Sequence, residues 1–110
     1  MLKAVFYEAA CEFHGFEISG HAGYGEAEDE MHGNDIVCAA ISSCTMLVCN
    51  AVTENFKAEA DVSVEENRIT LRLRGYNTAA MKLLAAFYSH IESISEDYGN
   101  VKLVIEDHKP

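Results

Sequence analysis

Residues 34–55, NDIVCAAISSCTMLVCNAVTEN, decide the fold class, because they predict one long helix between two pairs of strand patterns. Asn34 can cap the helix N-terminus, and the carboxylate of Asp35 suits the positive end of the helix dipole. The helix is therefore predicted to begin at Asn34 and to run to about Asn55. Its apolar residues leave little room for a solvated face, so we expect it to lie sandwiched within the fold or at a subunit interface.

Strand patterns occur in pairs on both sides of this helix. Residues 2–8 are rich in apolar and aromatic side chains and residues 12–19 alternate, which together predict a first hairpin. Residues 58–64 and 68–74 alternate between apolar and polar positions. They predict a second hairpin that turns at residues 65–67.

A second helix is expected to begin at Asn77 or Thr78, whose side chains can cap it, and to stop at Gly99. Residues 101–105 then predict a last strand. The order β-β-α-β-β-α-β is typical of a two-layer α+β domain with a mostly antiparallel sheet and two main helices. Because 49% of the chain is hydrophobic and no linker interrupts it, residues 1–110 are predicted to form a single domain.

The N-terminal segment is too quickly interrupted by charge to be a signal peptide or a membrane span, so we expect a cytoplasmic protein. In that compartment the four cysteines are expected to be reduced thiols and not two disulfides. They are Cys11, Cys38, Cys44 and Cys49.

The chain carries eighteen acidic and eight basic side chains, which give a formal net charge of -10. Such a charge disfavours direct nucleic-acid binding and favours a cationic partner, such as a basic protein. It also keeps a small domain soluble, so the charge alone does not select a function.

Candidate catalytic residues flank a glycine-rich, acidic segment at residues 22–33, which we predict to be a loop. His21 follows Gly20 at the predicted end of the second strand, and Cys38 falls in the predicted first turn of the long helix. A thiol is a useful nucleophile only as the thiolate, which a helix N-terminus and a nearby imidazolium both favour. We therefore predict that Cys38 is the nucleophile and His21 its general base, with backbone N–H groups at the helix start available to bind an oxyanion.

Three further residues are candidates for the same site. Asp35 could orient the imidazole or could simply be a helix-start acid, and Ser42 lies one turn after the cysteine on the same side of the helix. Gly20 leaves space around the imidazole. His32 is the main rival as general base. A free cysteine also behaves as a small hydrophobe, so a core position for Cys38 stays open.

A zinc site is the chief chemical alternative. Its possible ligands are His21, His32, Asp35 and Cys38. No CxxC or HxxxH spacing supports it, and the acidic residues 26–30 lack the ligand pattern of a calcium loop. We therefore expect neither a metal nor another cofactor.

The two motifs around His21 and Cys38 resemble those of a known family. Residues 18–22, ISGHA, followed by residues 35–42, DIVCAAIS, are similar to the paired motifs of the ribosomal-processing cysteine protease Prp family. The resemblance extends over the whole chain. It departs from the family at residues 22–34, which are longer and more acidic than the family's usual connection.

The resemblance implies that His21 and Cys38 are a catalytic dyad, with Gly20, Asp35 and Ser42 as supporting residues. It also implies a substrate, because the family removes a short N-terminal extension from a basic protein of the large ribosomal subunit. That extension ends in hydrophobic and aromatic residues. The family is homodimeric, which would account for a helix that is apolar on nearly every side.

Two functions of different classes are therefore considered. The first is a cysteine endopeptidase that acts on a basic ribosomal protein precursor. The second is a noncatalytic acidic module that binds ribosomal proteins during ribosome assembly, which needs the charge but not the thiol.

Overall fold

The computed structural model of the chain describes residues 1–20 and 28–108, of which residues 28–35 are described by their backbone alone. The predicted order β-β-α-β-β-α-β and the α+β fold class are confirmed. The strands are β1 (Leu2–Ala9), β2 (Glu12–Ser19), β3 (Ala60–Glu65), β4 (Arg68–Leu73) and β5 (Val101–Asp107), and the helices are α1 (Glu28–Asn50), which continues into a π-helical segment (Ala51–Asn55), and α2 (Thr78–Tyr98).

The described strands form a five-stranded sheet in the order β3-β4-β2-β1-β5. Neighbouring strands are antiparallel except β1 and β5, which are parallel because α2 carries the chain back across the sheet. Ser19 at the end of β2 pairs with Arg68 at the start of β4 and with Lys3 near the start of β1. We call this end of the sheet the Gly20 end, since Gly20 follows β2 there.

Both helices pack on one face of the sheet, where the core lies. Phe6 and Phe16 are fully buried at its centre, and the ring of Phe87 from α2 meets both at centroid distances of 5.6 and 5.1 Å. Burying a side chain of this size contributes about 1.5 to 3 kcal/mol. The packing of α2 against the sheet therefore stabilises the centre of the domain.

Helix α2 follows its sequence prediction closely. Asn77 caps it, because its side-chain oxygen accepts a hydrogen bond of 3.0 Å from the backbone N–H of Ala80. The helix ends at Gly99, whose φ of 72° lies in the left-handed region that favours glycine. One face of α2 is buried, at residues Ala80, Met81, Leu84, Phe87, Ile91 and Ile94.

Helix α1 begins at Glu28, so the prediction that Asn34 caps it is wrong. The acidic residues Glu28, Asp29 and Glu30 lie in its first turn, where carboxylates suit the positive end of the helix dipole. Gly33 costs about 1 kcal/mol within a helix but does not prevent one. The predicted loop at residues 22–33 is therefore wrong for residues 28–33, and its remaining residues lie outside the described part of the chain.

Where its side chains are described, from Ile36 onward, helix α1 buries one side only. Val37, Ile41 and Val48 are buried against the core, whereas Ile36 is 59% exposed and Leu47 is 69% exposed. Of the two predicted alternatives, a helix sandwiched within the fold of a single chain is therefore wrong. A position at a subunit interface stays a prediction.

Among the described residues, Ile36–Asn55 is long and apolar enough, by length and composition alone, to cross a membrane. Its hydropathy is 1.9, and 39% of its most apolar window is buried inside the chain. The core helix of a globular domain meets the same criteria. The buried side of this segment, from Val37 to Val52, belongs to the hydrophobic core that includes Phe6 and Phe16.

The first hairpin turns at Ala10 and Cys11, which have φ values of 52° and 65°. Two successive left-handed residues are the mark of a type I′ turn, which matches the twist of the flanking strands. Cys11 is exposed in this turn, at the end of the sheet opposite the Gly20 end. No disulfide joins any of the four cysteines, all of which lie in the described part of the chain.

Candidate active site

Cys38 lies on the buried side of α1, where its exposed fraction is 9% and it belongs to the same core cluster as Val37 and Ile41. It lies ten positions after Glu28, or about 15 Å along the helix axis. The prediction that Cys38 occupies the first turn of its helix is therefore wrong. Its sulfur is placed by packing against the core and not by a helix terminus.

The longer helix also changes the expected activation of the thiol. The field of a helix dipole acts within its first turn, and the backbone N–H groups around Cys38 lie in the helix interior, where they bond to carbonyls four residues earlier. The proposal that helix-start N–H groups beside Cys38 bind an oxyanion is wrong for the same reason. An imidazole remains as the predicted activating group.

Both imidazole candidates have side chains outside the described part of the chain. His21 is one of the undescribed residues. His32 is described only by its backbone, which is part of α1. The side chain of Asp35 is likewise outside the description. The dyad and its orientation by Asp35 therefore stay predictions.

Gly20 directly precedes His21 in the chain, and the structure shows why this position requires glycine. Its φ is +79°, and a Cβ atom there would lie 2.7 Å from the carbonyl oxygen of Met1. Its backbone N–H donates a hydrogen bond of 3.0 Å to the carbonyl of Asn67. The residue before the predicted base is thus held between the start of β1 and the turn that joins β3 to β4.

A cavity of about 170 Å³ opens at the Gly20 end of the sheet, and we call it the Ser42 cavity. Ser42, half-buried on α1, and Gly20 both contribute to its wall. The remaining wall residues come from β1, β2 and the β3–β4 turn with its flanking residues: Leu2, Ile18, Glu65, Glu66, Asn67, Arg68 and Ile69. The structure therefore brings together two of the predicted supporting residues, Gly20 and Ser42.

Sequence reasoning missed the part of this cavity that comes from Leu2 and residues 65–69. These residues carry no motif, and their proximity depends on strand register. The pairings Lys3 with Ser19 and Ser19 with Arg68 bring them to the same end of the sheet as Gly20. The alternation of the strands could have indicated this neighbourhood only if the strand order had been known.

The other cysteines differ from Cys38 in their surroundings. Burial raises the pKa of Cys49 to about 11, so its thiol stays protonated near neutral pH. Cys44 is half-buried on α1, and Cys11 lies at the opposite end of the sheet from Gly20. Of the four, Cys38 is the one that lies one helical turn from the wall of the Ser42 cavity.

No group of three or more His, Cys, Asp or Glu that could hold a metal ion is found among the described side chains. The zinc alternative depends on His21, His32 and Asp35, whose side chains lie outside that set.

A family model, cysteine protease Prp, matches residues 1–102 of the chain. The chain belongs to this family. It is accordingly a cysteine protease, and the matched range contains both the ISGHA and the DIVCAAIS motifs. No curated protein matches the chain significantly.

Solved structures agree in fold over nearly the whole chain. The essential ribosomal processing protease Prp from S. aureus in complex with a substrate peptide is 21% identical, with a TM-score of 0.83, over 96% of this chain and 100% of that one. The same protease with a covalently linked product peptide is 20% identical, with a TM-score of 0.79 and the same coverage. SMU.848 from Streptococcus mutans is 22% identical, with a TM-score of 0.74, over 96% of this chain and 99% of that one. At these identities the likeness shows the shared fold.

Proposed function

We propose that this protein is the endopeptidase that removes the short N-terminal extension of a basic large-subunit ribosomal protein precursor. The observation that carries this proposal is the match to the cysteine protease Prp family across both motifs. The Ser42 cavity supports it, because Gly20, which precedes His21, and Ser42, one helical turn after Cys38, both line that recess. The family match also favours the protease over a noncatalytic acidic binding module.

In the proposed reaction, His21 accepts the thiol proton of Cys38, and the sulfur attacks the carbonyl carbon of the scissile amide. The imidazolium then gives that proton to the leaving amine, which leaves a thioester on the sulfur. Water adds to the thioester carbonyl with the imidazole as base, and the released acid regenerates the thiol. Asp35 orients the imidazole, while Gly20 and Ser42 shape the site.

The substrate class is supported by charge. The net charge of -10 attracts a strongly basic precursor and raises the rate of encounter at low ionic strength. The S. aureus relative has been captured with a substrate peptide, which gives a precedent for peptide binding by this fold. A ribosomal precursor is made in the cytoplasm, which is where we propose that this protein acts.

The homodimer is part of the proposal, and α1 is its proposed interface. Its exposed side carries Ile36, Ala39, Ser43 and Leu47, spaced as one stripe along the helix. The small residues in the middle of that stripe allow the same helix of a second copy to approach closely. Sedimentation of a Leu47→Glu variant should show monomers, whereas Ile105→Glu, on the exposed edge strand β5, should sediment like the parent.

Incubation of the protein with the basic precursor tests the activity directly. Mass spectrometry should show one new N-terminus after removal of the extension. Separate His21→Ala and Cys38→Ala variants should leave the precursor intact, and His32→Ala should cleave it at the parent rate. Cleavage that survives loss of Cys38, or that is lost with His32 and retained with His21→Ala, would contradict the proposed dyad.

A further inference from the structure

The sheet has a second face that no described helix covers. Both helices pack on the face that holds Phe6 and Phe16. Because side chains alternate along a strand, the strand residues between those of the core point to the opposite side of the sheet. We call that side the open face, and it includes Lys3, Tyr7, Gly15, Arg72 and Lys102.

Basic side chains are frequent on the open face. It holds four of the chain's eight Lys and Arg residues, which are Lys3, Arg68, Arg72 and Lys102. On strands β1, β2, β4 and β5, the acidic residues of this face are Glu17 and Glu106. One carboxylate oxygen of Glu17 already lies 3.8 Å from the Nε atom of Arg68. These four strands therefore give the open face an excess of positive charge.

The outer strand β3 adds two carboxylates to the open face, those of Asp61 and Glu65. Asp61 is 3.3 Å from the Nε atom of Arg74, which offsets its charge. The open face is therefore close to neutral, whereas the whole chain has a net charge of -10. The excess of acidic residues lies elsewhere in the chain.

The guanidinium of Arg72 is held near the middle of the open face. It lies 4.1 Å from the centroid of the Tyr7 ring, although β2 separates their two strands. Gly15 of β2 pairs with Arg72, and a Cβ atom there would lie 3.3 Å from the Cγ atom of Arg72. The missing side chain thus lets Arg72 cross β2. Among the described residues Arg72 forms no ion pair, so no carboxylate in contact with it neutralises its charge.

Three more rings lie beside Arg72. The imidazoles of His14 and His108 stack with their centroids 4.9 Å apart, and the ring of Tyr76 meets His14 edge-on at 5.7 Å. Burial lowers the pKa of His108, and so do its neighbours His14 and Arg72, which shows that these groups are close together. Tyr76 is 74% exposed, so its ring is accessible to a ligand.

The basic groups extend well beyond these rings. Lys3 and Lys102 are direct neighbours across β1 and β5. Lys3 lies four residues before Tyr7 on the same strand, or about 13 Å along the sheet. A ligand that contacts both the rings and the two lysines must be extended, which favours a polymer with repeated negative charges over a single small anion.

The combination of rings and cations selects the chemistry of that polymer. Single-stranded nucleic acids are bound by basic surfaces that follow the phosphates and by planar side chains on which the bases stack. A guanidinium also stacks on such rings. An acidic peptide would use the lysines and Arg72 but would leave the exposed ring of Tyr76 without a planar partner. The open face therefore fits a nucleic acid better than an acidic peptide.

We infer that the open face binds single-stranded RNA, with bases stacked at Tyr76 and Arg72 and phosphates at Lys3 and Lys102. The net charge of -10 opposes this binding over the molecule as a whole, so the affinity depends on this one face and is highest at low salt. The choice of RNA over DNA rests on the proposed function, since the proposed substrate is a ribosomal protein precursor. Cys38 lies on α1, which packs on the opposite face of the sheet.

Fluorescence anisotropy with a labelled single-stranded RNA of mixed sequence, at about 50 mM salt, tests the stacking contact. Tyr76→Ala should lower the affinity about fivefold or more, because stacking of one base on an aromatic ring is lost. Tyr98→Ala is the matched control, since Tyr98 is 59% exposed but lies on α2. It should bind like the parent. Both tyrosines are exposed, so neither substitution removes a core side chain.

The salt dependence of the affinity tests the phosphate contacts. Lys102→Gln should reduce the slope of log affinity against log salt by about 0.7, the value for one lost contact to a single strand. Lys82→Gln removes the same charge from α2 and should keep the parent slope. Equal slopes in these two variants, or equal affinities in the two tyrosine variants, would overturn the inference.

Competition identifies the occupant. Unlabelled RNA should displace the labelled strand, whereas an acidic peptide of equal charge and inorganic phosphate should not do so at the same concentration. Displacement by either of them would assign the open face to anions in general and would overturn RNA as its partner. Tighter binding of single-stranded DNA of the same sequence would also overturn RNA. Absence of RNA binding by the parent at low salt would overturn the inference outright.

Cleavage assays separate this inference from the proposed function. Cys38→Ala should bind RNA with the parent affinity, and Tyr76→Ala should cleave the isolated precursor at the parent rate. RNA binding by a parent that does not cleave the precursor would overturn the proposed function alone. Cleavage by a parent that does not bind RNA would overturn the RNA surface alone.

Discussion

The two helices of this domain pack on the same face of one sheet and each buries one side, but they differ at their ends and in what their other sides expose. Helix α2 has a side-chain cap at Asn77, a left-handed residue at its end, and one buried face. Helix α1 buries one side, exposes large apolar residues on the other, and continues into the π-helical segment Ala51–Asn55. The first organisation suits a helix that only holds the fold together, while the second leaves apolar surface that a single chain does not use.

The comparison teaches that both helices contribute to the core, whereas the proposed site involves α1 alone among the helices. Cys38 and Ser42 both lie on α1, and no residue of α2 contributes to the described wall of the Ser42 cavity. The buried side chains of α2, with Phe87 at the centre, take part only in the core. Substitutions of Cys38 and Ser42 on α1 should therefore change cleavage first, and substitutions on the buried face of α2 should change the free energy of unfolding first.

The largest expected effect is the loss of cleavage when Cys38 on α1 is replaced. Cys38→Ala should lower kcat by a factor on the order of 10⁶, as removal of a nucleophile does in other proteases. The free energy of unfolding, measured with urea, should change by far less than the free energy to which this loss of rate corresponds. The reason is that the substitution removes only one sulfur atom. Cys49→Ala, a buried cysteine on the same helix, should retain cleavage. Equal losses from both cysteines would contradict the assignment.

The next effect contrasts two leucines. Leu84 on α2 is 0% exposed, and Leu84→Ala should lower the free energy of unfolding by about 2 to 5 kcal/mol through lost packing and a cavity. Leu47 on α1 is 69% exposed, and Leu47→Ala should cost less than about 0.5 kcal/mol at concentrations where the chain is a monomer. Urea titration of both variants checks this. Similar losses would mean that the two helices are equally important for stability.

A smaller effect distinguishes the two predicted helix caps. Asn77→Ala removes the hydrogen bond to the N–H of Ala80 and should lower the free energy of unfolding by about 1 kcal/mol. Asn34→Ala should be neutral or stabilising by up to about 0.7 kcal/mol, because the helix interior prefers alanine. Thermal unfolding of the two variants measures the difference. A loss on Asn34→Ala as large as that on Asn77→Ala would indicate that α1 begins at residue 34 after all.

The smallest effect lies outside both helices, at His108, which follows the last strand. Burial lowers the pKa of His108, and the neighbouring His14 and Arg72 lower it further, while its ring stacks on His14 at 4.9 Å. A histidine with a lowered pKa in the folded state contributes stability that is present above its ordinary pKa and is lost as the pH falls through the folded value.

The unfolding free energy should therefore decrease with acidification below about pH 6.5 with a slope of at most one proton from this group. His108→Phe should flatten that slope, and urea midpoints measured between neutral and acidic pH provide the comparison. A slope that is unchanged in His108→Phe would assign the acid sensitivity to other groups.

The sequence predicted most of the fold because local patterns and tertiary structure agree there. Strand alternation gave both hairpins, and Asn77 with Gly99 defined α2. The start of α1 was missed because residues 28–33 have no apolar periodicity and include Gly33, although their acidic first turn suits a helix dipole. Because these residues were predicted to form a loop, Cys38 was wrongly placed at a helix end.

The candidate site also has one part that could be predicted from the sequence and one part that could not. Cys38 and Ser42 could be predicted as neighbours, since residues four apart share one side of a helix. The contribution of Leu2 and Ile69 could not, because it depends on strand order and register across separate parts of the chain. The strict requirement for glycine at position 20 has the same origin, since the atom that excludes a Cβ belongs to Met1.

The turn at Ala10 and Cys11 has a practical consequence for handling the purified protein. Its exposed thiol can oxidise on storage and link chains to one another, and alkylating reagents will also reach it. Since both residues have positive φ, Asn at position 10 and Gly at position 11 would fit the backbone better than the native pair. This double replacement would remove the exposed Cys11 thiol from thiol-labelling assays and would strengthen the hairpin.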